Sequence, residues 1–218
     1  MNGERIGTVA GAGLFPPVSW TTWSLEDVPQ PDSYPGWRPV GSWRLTRKAS
    51  LHGLSHQRDG WVDRATGSPI DLHAHRLVLG YGSNLSPRKL AQQFLGQDVV
   101  VLRAAVFGWA AVWCDARRAD GAVVATLAPL PGHVEVHGVL ALSQDQLDDV
   151  DRWEGHPTFY RRQYLPGAVQ LDNHSWRSVE VYIGTPEHRP VLLVRDRPLL
   201  VAEVPYEQVD RMVPRPSG

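Results

Sequence analysis

The sequence has little of several features that would place a protein in a large class. It contains one cysteine, Cys114, so it cannot close an internal disulfide, and its apolar neighbours favour a small buried side chain. It has no apolar run of about 18 residues, and the first residues lack a secretory signal pattern. Lysine and arginine number 22 against 23 aspartates and glutamates, a net charge of −1. The sequence therefore predicts a cytoplasmic protein that binds neither nucleic acid nor a membrane.

The residues that are present divide the chain into two parts. The 218 residues, 42% of them hydrophobic, suffice for one sizeable core. Residues 1–75 hold five of the nine tryptophans and many prolines, and they show no sustained helix or strand period. We predict an irregular N-terminal extension over 1–75, which packs its aromatic side chains on the main domain, 76–218, or on the second subunit of a homodimer.

From residue 76 onward, strand signals recur at short intervals. β-Branched and aromatic residues fill 99–113, and an Asp-Gly turn at 120–121 precedes another strand, so we predict a hairpin there and a further turn over 129–132. The later predicted strands cover 134–142, 160–165, 179–183 and 191–194. Short helices interrupt this series. The order predicts an α+β fold, a mixed and largely antiparallel β-barrel with a few flanking helices.

The most informative stretch is residues 77–87, where a short apolar strand breaks on glycines and restarts as a helix. Gly80 and Gly82 permit a positive φ or a close approach of another segment. Ser86 before Pro87 is typical of a helix start. Backbone amides at such a bend, together with the positive end of the helix dipole, form a seat for a carboxylate or an oxyanion.

The bend has alternative interpretations as a structural turn, a dinucleotide-binding loop or a nucleophile elbow. A purely structural turn remains an alternative. Leu85 stands where a dinucleotide fingerprint requires glycine or alanine, and Ser83 lacks the flanking glycines of a nucleophile elbow. Leu85 and Leu90 instead have the spacing of a hydrophobic staple at a helix start.

A second helix is predicted after residue 142. Ser143 and Gln146 form a capping box, and Gly155 ends the helix. Glu154 lies in the last turn, where the helix dipole disfavours a negative charge. Burial would act in the same direction, so we expect a raised pKa and a role in proton transfer. The alternatives are an exposed glutamate or an ion pair with a nearby arginine, Arg161 or Arg162.

His133, Glu135 and His137 alternate with valines, so on a strand their side chains share one face. Two histidines and a carboxylate are a known iron ligand set. A solvated strand face is the ordinary explanation of the pattern.

Three motifs together resemble those of the γ-glutamylcyclotransferase-like superfamily. They are Tyr81-Gly82-Ser83-Asn84-Leu85, Gly138-Val139-Leu140, and Trp153-Glu154-Gly155 followed by Tyr160-Arg161-Arg162. The resemblance covers the chain from Arg76 to near its C-terminus. It implies a mixed β-barrel with helices and a site without metal or cofactor. Glu154 matches the family's glutamate, and Tyr81 to Leu85 match its ligand-holding turn.

The resemblance also implies a reaction. In a γ-glutamyl amine or γ-glutamyl dipeptide, the α-amine attacks the γ-carbonyl of the same molecule and closes a five-membered lactam. This releases 5-oxoproline and a free amine or amino acid. Glu154 would take a proton from the attacking amine and return one to the leaving nitrogen. The bend would hold the substrate, with Ser83 and Asn84 adding side-chain hydrogen bonds.

Two tyrosines and the tryptophans of the extension are further candidates for the site. Tyr160 and Tyr182 are expected to line the site, with core packing as the alternative. Tryptophans of the extension could line or cap it. A small-ligand-binding or protein-interaction module on the same fold is the main alternative function, and a metal enzyme using the strand of His133 is a third.

Overall fold

The structure, a computed structural model, describes residues 19–29 and 34–215. Along the chain its elements are β1 (Thr22–Ser24), β2 (Trp43–Leu45), β3 (Ser50–Gln57), β4 (Gly60–Asp63), β5 (Pro69–Ile70), β6 (Arg76–Gly80), α1 (Pro87–Gln93), β7 (Val99–Arg117), β8 (Val123–Leu142), α2 (Gln144–Glu154), β9 (Tyr160–Tyr164), β10 (Val169–Leu171), β11 (Trp176–Arg177), β12 (Glu180–Gly184), β13 (Leu193–Val194), β14 (Arg197–Pro198) and α3 (Tyr206–Met212).

Most of these strands belong to one sheet. Its order is β5-β4-β3-β2-β7-β8-β6-β12-β9, with β1 beside β3 and the β10–β11 pair beside β7. The pairing of β6 with β12 is parallel, and the other pairings in the sheet are antiparallel. The α+β class and the largely antiparallel sheet are confirmed. The path does not close on itself within the described residues, so the barrel is not confirmed.

The long strands β7 and β8 form the centre of the sheet. They are joined at the predicted Asp-Gly turn, which confirms the hairpin. A turn between two strands was predicted over 129–132. This prediction is wrong, because β8 continues through these residues. The partner of Phe107 is Val134, but the partner of Trp109 is Pro129, so the extra residues form an irregularity inside β8.

The N-terminal extension contributes strands to the sheet. β2 pairs with β7, β3 pairs with β2, and β4 pairs with β3. The prediction of an irregular segment is therefore wrong over 43–63. Trp43 and Leu45 of β2 are buried with Arg44 between them, but three residues are too short to show a period in the sequence. The division of the chain at residue 75 stays a prediction.

The sheet buries side chains on both faces, since successive residues of a strand point in opposite directions. On one face, Val78, Val101 and Leu140 of the sheet share a core cluster with Leu90 of α1 and Leu147 of α2. The other face carries Leu79, Leu102, Val139 and Val181. Because α1 and α2 share one face, the start of α1 and the end of α2 come together beside β6. Among the described residues, no helix is long and apolar enough to cross a membrane.

Candidate active site

The first half of the site is the bend at the end of β6. The chain passes through residues 81–82 into a 3-10 helix, Ser83–Leu85, and α1 follows with Ser86 as its N-cap residue. Leu85 and Leu90 are both buried, at the positions of the predicted staple. The bend is thus anchored by apolar packing, while the polar residues 83 and 84 remain half-buried.

The two glycines of the bend are explained by close approach. Gly82 has a φ of −109°, so it does not need the left-handed region. A Cβ on Gly80 would lie 2.8 Å from Cδ2 of Leu85, and a Cβ on Gly82 would run into the hydroxyl of Tyr34. Any side chain at either position would displace a neighbour.

The second half of the site is the last turn of α2. The Ser143–Gln146 capping box begins this helix, and Gly155, with a φ of 62°, ends it, both as predicted. Glu154 is the last residue of the helix, and its carboxyl accepts a hydrogen bond from the side-chain amide of Asn84. The fold thus brings the bend and Glu154 into one site across 70 positions of sequence.

The surroundings of Glu154 change its acidity. Burial raises the pKa of this half-buried carboxyl above the ordinary value for glutamate. The hydrogen bond from Asn84 and the positive charges of Lys89, Arg118 and Arg189 act in the opposite direction without cancelling the effect. A carboxyl in this environment is suited to exchange a proton with a substrate.

Lys89, in the first turn of α1, orients Asn84. Its ammonium donates hydrogen bonds to the hydroxyl of Ser83 and to the side-chain oxygen of Asn84, both at 2.8 Å. Because the amide oxygen of Asn84 faces Lys89, its NH₂ group faces Glu154. Burial lowers the pKa of Lys89, and the negative charge of Glu154 opposes this. Lys89 was not among the predicted site residues.

Comparison with known families decides the assignment of the chain. The model of the family described as "Gamma-glutamyl cyclotransferase, AIG2-like" matches residues 78–198, more than half of the 218 residues. The chain belongs to this family. The resemblance drawn from the motifs is confirmed, and the matched region includes both the bend and Glu154. No curated protein sequence matches the chain.

Several solved structures are similar to this cyclotransferase-family chain at low sequence identity. One described as a gamma-glutamyl cyclotransferase has 16% identity, 51% coverage of this chain, 67% of its own and a TM-score of 0.45. An AIG2-like protein from Mus musculus has 18% identity, 62% and 94% coverage and a TM-score of 0.43. A yeast gamma-glutamyl cyclotransferase described as specific to glutathione has 16% identity, 53% and 71% coverage and a TM-score of 0.39. The family match alone supports the assignment.

The predicted wall residues of this family member lie beside the site, with their hydroxyls bonded to protein groups. Tyr160 donates to the carbonyl of Ala125 at 3.0 Å, and Tyr182 donates to Oδ1 of Asp151 at 2.7 Å. Both rings belong to the buried core. Tyr81 is also buried, and its hydroxyl donates to the carbonyl of Tyr182 at 2.6 Å, which ties the bend to β12. A substrate-lining role for these tyrosines stays a prediction.

The N-terminal extension contacts the bend through residues that were not among the predicted site residues. Arg38 donates to the backbone carbonyls of the bend, and the Tyr34 hydroxyl lies over Gly82. Tryptophans of the extension were expected to line or cap the site. Two of them, Trp23 and Trp37, stack on each other with 4.8 Å between ring centroids. No periodic pattern marks Tyr34 or Arg38 in the sequence, because both lie in an irregular stretch before β2.

The proposed metal ligands fall on β8. Nε2 of His137 lies 3.3 Å from Oε2 of Glu135, and Nε2 of His133 lies 3.8 Å from the same oxygen. This oxygen also accepts a hydrogen bond from the backbone N–H of Ala111 at 2.8 Å. Among the described residues, no group of three side chains has the geometry to hold a metal ion.

Proposed function

We propose that the chain is a cyclotransferase that converts a γ-glutamyl amine or γ-glutamyl dipeptide into 5-oxoproline and a free amine or amino acid. The observation that carries the proposal is the contact between Asn84 and Glu154. Through this contact, a carboxyl of raised pKa lies beside the glycine bend. The chain that contains both belongs to the cyclotransferase family. The reaction needs one group that moves a proton and one that holds the substrate, and these two groups adjoin each other.

In the proposed reaction, the α-amine nitrogen of the substrate attacks its own γ-carbonyl carbon. A nitrogen–carbon bond forms and closes the ring, and the amine proton passes to the Glu154 carboxylate. The bond from the γ-carbon to the leaving nitrogen then breaks, and Glu154 returns the proton to that nitrogen. One carboxyl is therefore base and then acid, a role for which a pKa nearer to neutrality is favourable.

The protein supplies no nucleophile in this scheme. The attacking amine and the carbonyl belong to one molecule, so the reaction has the high effective concentration of an intramolecular process once the substrate is bent correctly. Cys114 is unsuited to the nucleophile's role, because burial raises the pKa of its thiol to about 12. The bend amides, with Lys89 beside them, would hold the substrate in the bent conformation.

The test is incubation of the purified chain with a panel of γ-glutamyl amines and γ-glutamyl dipeptides, with 5-oxoproline measured by mass spectrometry. We expect product with at least one member of the panel and its loss in Glu154→Gln. No product across the panel, or equal product from the variant, contradicts the proposal. Calorimetric binding of a panel member without turnover, unaffected by Glu154→Gln, would instead support a small-ligand-binding module.

A further inference from the structure

A short segment of the N-terminal extension contacts the bend, although it lies outside the family match. The family match begins at residue 78, whereas Tyr34 and Arg38 belong to the stretch before β2. Both side chains reach the bend, one through its guanidinium and the other through its hydroxyl. The site of this chain is thus built in part from residues that the family match does not include.

Arg38 fixes the direction of two peptide groups. Its Nη2 donates to the carbonyl oxygen of Tyr81 at 3.0 Å and to that of Gly82 at 3.1 Å. In a trans peptide, the N–H points away from the C=O of the same unit. Holding both carbonyls on the side of Arg38 therefore directs the N–H groups of Gly82 and Ser83 away from Arg38, to the opposite side of the bend.

Tyr34 stands at the amides of the bend. The phenol oxygen lies so close to Gly82 that a Cβ there would collide with it. The ring is held in place by Trp113, with 5.1 Å between ring centroids and 48° between planes. A neutral hydroxyl oxygen therefore lies against the bend at Gly82.

The charges around the bend identify what this position would bind. Arg38 donates to backbone carbonyls of the bend, and the ammonium of Lys89 donates to the side chains of Ser83 and Asn84. Two cations favour a full negative charge over the neutral oxygen of a phenol. A γ-glutamyl substrate carries such a charge in its α-carboxylate throughout the reaction, whereas an oxyanion exists only in the tetrahedral intermediate.

We propose that residues 34–38 of the extension complete the substrate site. Arg38 positions the bend amides. The Tyr34 hydroxyl occupies the position that the α-carboxylate of the substrate takes on binding, so the substrate displaces it. This inference rests on the proposed function. Arg38 does not touch the substrate and acts through the peptide groups of Tyr81 and Gly82. Tyr34 competes with the substrate for the position beside Gly82. The two residues thus have opposite effects on the same binding step.

Steady-state kinetics of two variants test this. We expect Arg38→Met to raise KM by about 10- to 100-fold, the range of a lost charge-assisted hydrogen bond, with kcat within about threefold of wild type. We expect Tyr34→Phe, which keeps the ring on Trp113, to lower KM by about 2- to 10-fold, since the competing hydroxyl and its neutral polar contact are removed. Arg38→Lys should recover part of the loss. A higher KM in Tyr34→Phe, or a KM in Arg38→Met equal to that of wild type, would overturn the proposal.

Arg88→Met is the matched control for docking of the extension. Nη2 of Arg88 donates to the carbonyls of Val28 at 2.8 Å and Glu26 at 3.3 Å, so it also joins the extension to the domain through two backbone carbonyls. It does not contact the bend through these bonds. We expect its KM to stay within about twofold of wild type. A loss equal to that of Arg38→Met would show that docking alone matters and would overturn the role of Arg38.

A readout that needs no turnover separates this inference from the proposed function. Hydrogen–deuterium exchange of peptides covering residues 77–90 reports directly on the bend amides. We expect faster exchange there in Arg38→Met than in wild type or Arg88→Met. If wild type forms no 5-oxoproline, the proposed function fails and exchange decides the positioning role of Arg38. If wild type is active but neither exchange nor KM changes, only the inference fails.

Discussion

Two carboxyl groups one turn apart on α2 have opposite environments. Asp151 faces Arg162, whose Nε and Nη2 each donate to one of its oxygens at 3.0 Å, and it also accepts the hydroxyl of Tyr182 at 2.7 Å. Glu154, three residues later, has the side-chain amide of Asn84 as its hydrogen-bond donor. One carboxyl thus pairs with a guanidinium, and the other with a neutral amide.

The difference shows in their acidities. Burial would raise the pKa of Asp151, but the hydrogen bonds and charge of Arg162 and the hydroxyl of Tyr182 outweigh it, so this pKa is lowered. At Glu154, burial prevails and the pKa is raised. A single helix turn therefore holds one carboxyl that stays charged and serves the structure, and another that can exchange a proton. The presence or absence of a bidentate arginine decides which role each has.

The largest expected effect comes from exchanging each carboxyl for its amide. We expect Glu154→Gln to lower kcat by about 100- to 10,000-fold, because a general acid–base group is removed. Asp151→Asn should keep kcat within about tenfold of wild type, since that carboxyl does not exchange a proton in the mechanism. The measurement is 5-oxoproline formation at saturating substrate, with the exposed Asp148→Asn on the same helix as control. Equal losses in Glu154→Gln and Asp151→Asn would remove the distinction between the two carboxyls.

Asp151→Asn should instead lower stability. We expect a loss of about 1.5–3 kcal/mol at neutral pH, the typical contribution of charged hydrogen bonds. Because the pKa of Asp151 is lower in the folded than in the unfolded state, its contribution is present above the unfolded value and disappears as pH falls through the folded value. Thermal melts of wild type and variant should therefore differ at pH 7 and converge in acid. Asp149→Asn, which breaks only the outer pair with Arg152, is the control. A difference in melting temperature that persists unchanged into acid would contradict the assigned charge.

The third prediction concerns the charge beside Glu154. In wild type we expect the acid limb of the kcat/KM profile to lie above the range of an ordinary glutamate, since the base must be ionised to accept the amine proton. The positive charge of Lys89 lowers the pKa of Glu154, so Lys89→Met should move this limb to higher pH. Lys48→Met changes the only other lysine, which is exposed between β2 and β3, and should leave the profile unchanged. A shift to lower pH in Lys89→Met would assign the limb to another group.

The two carboxyls also show what the sequence could predict. The strand, the bend and the capped helix were predicted because each is marked by neighbouring residues. Glu154 was selected because it lies against the helix dipole. The helix dipole likewise disfavours a cation in the first turn of α1, where Lys89 lies. Lysine is also rare in this chain, with two among 22 basic residues. The sequence therefore marks Lys89 by the same signal as Glu154.

Other parts of the site had no local signal. Arg38 reaches Tyr81 across 43 positions, and Tyr34 meets Gly82 through a loop without period. Such contacts depend on how β2 and β3 dock the extension beside β7, and these pairings join residues far apart in the chain. The assignment of Arg162 to Asp151, and not to Glu154, likewise depends on the register between β9 and the end of α2.

The smallest effect is expected from Arg162→Lys. This change keeps the positive charge beside Asp151 but loses the fork that binds both of its oxygens, so we expect a loss of stability of about 0.5–1.5 kcal/mol. The main causes of the pKa shift of Glu154 are burial, Asn84, Lys89, Arg118 and Arg189, so the acid limb of kcat/KM should not move. Arg161→Lys, on the exposed neighbouring residue, should change neither melting temperature nor profile. A displaced acid limb in Arg162→Lys would mean that Asp151 and Glu154 titrate as one coupled system. Their opposite pKa shifts would then belong to the pair and not to two independent carboxyls.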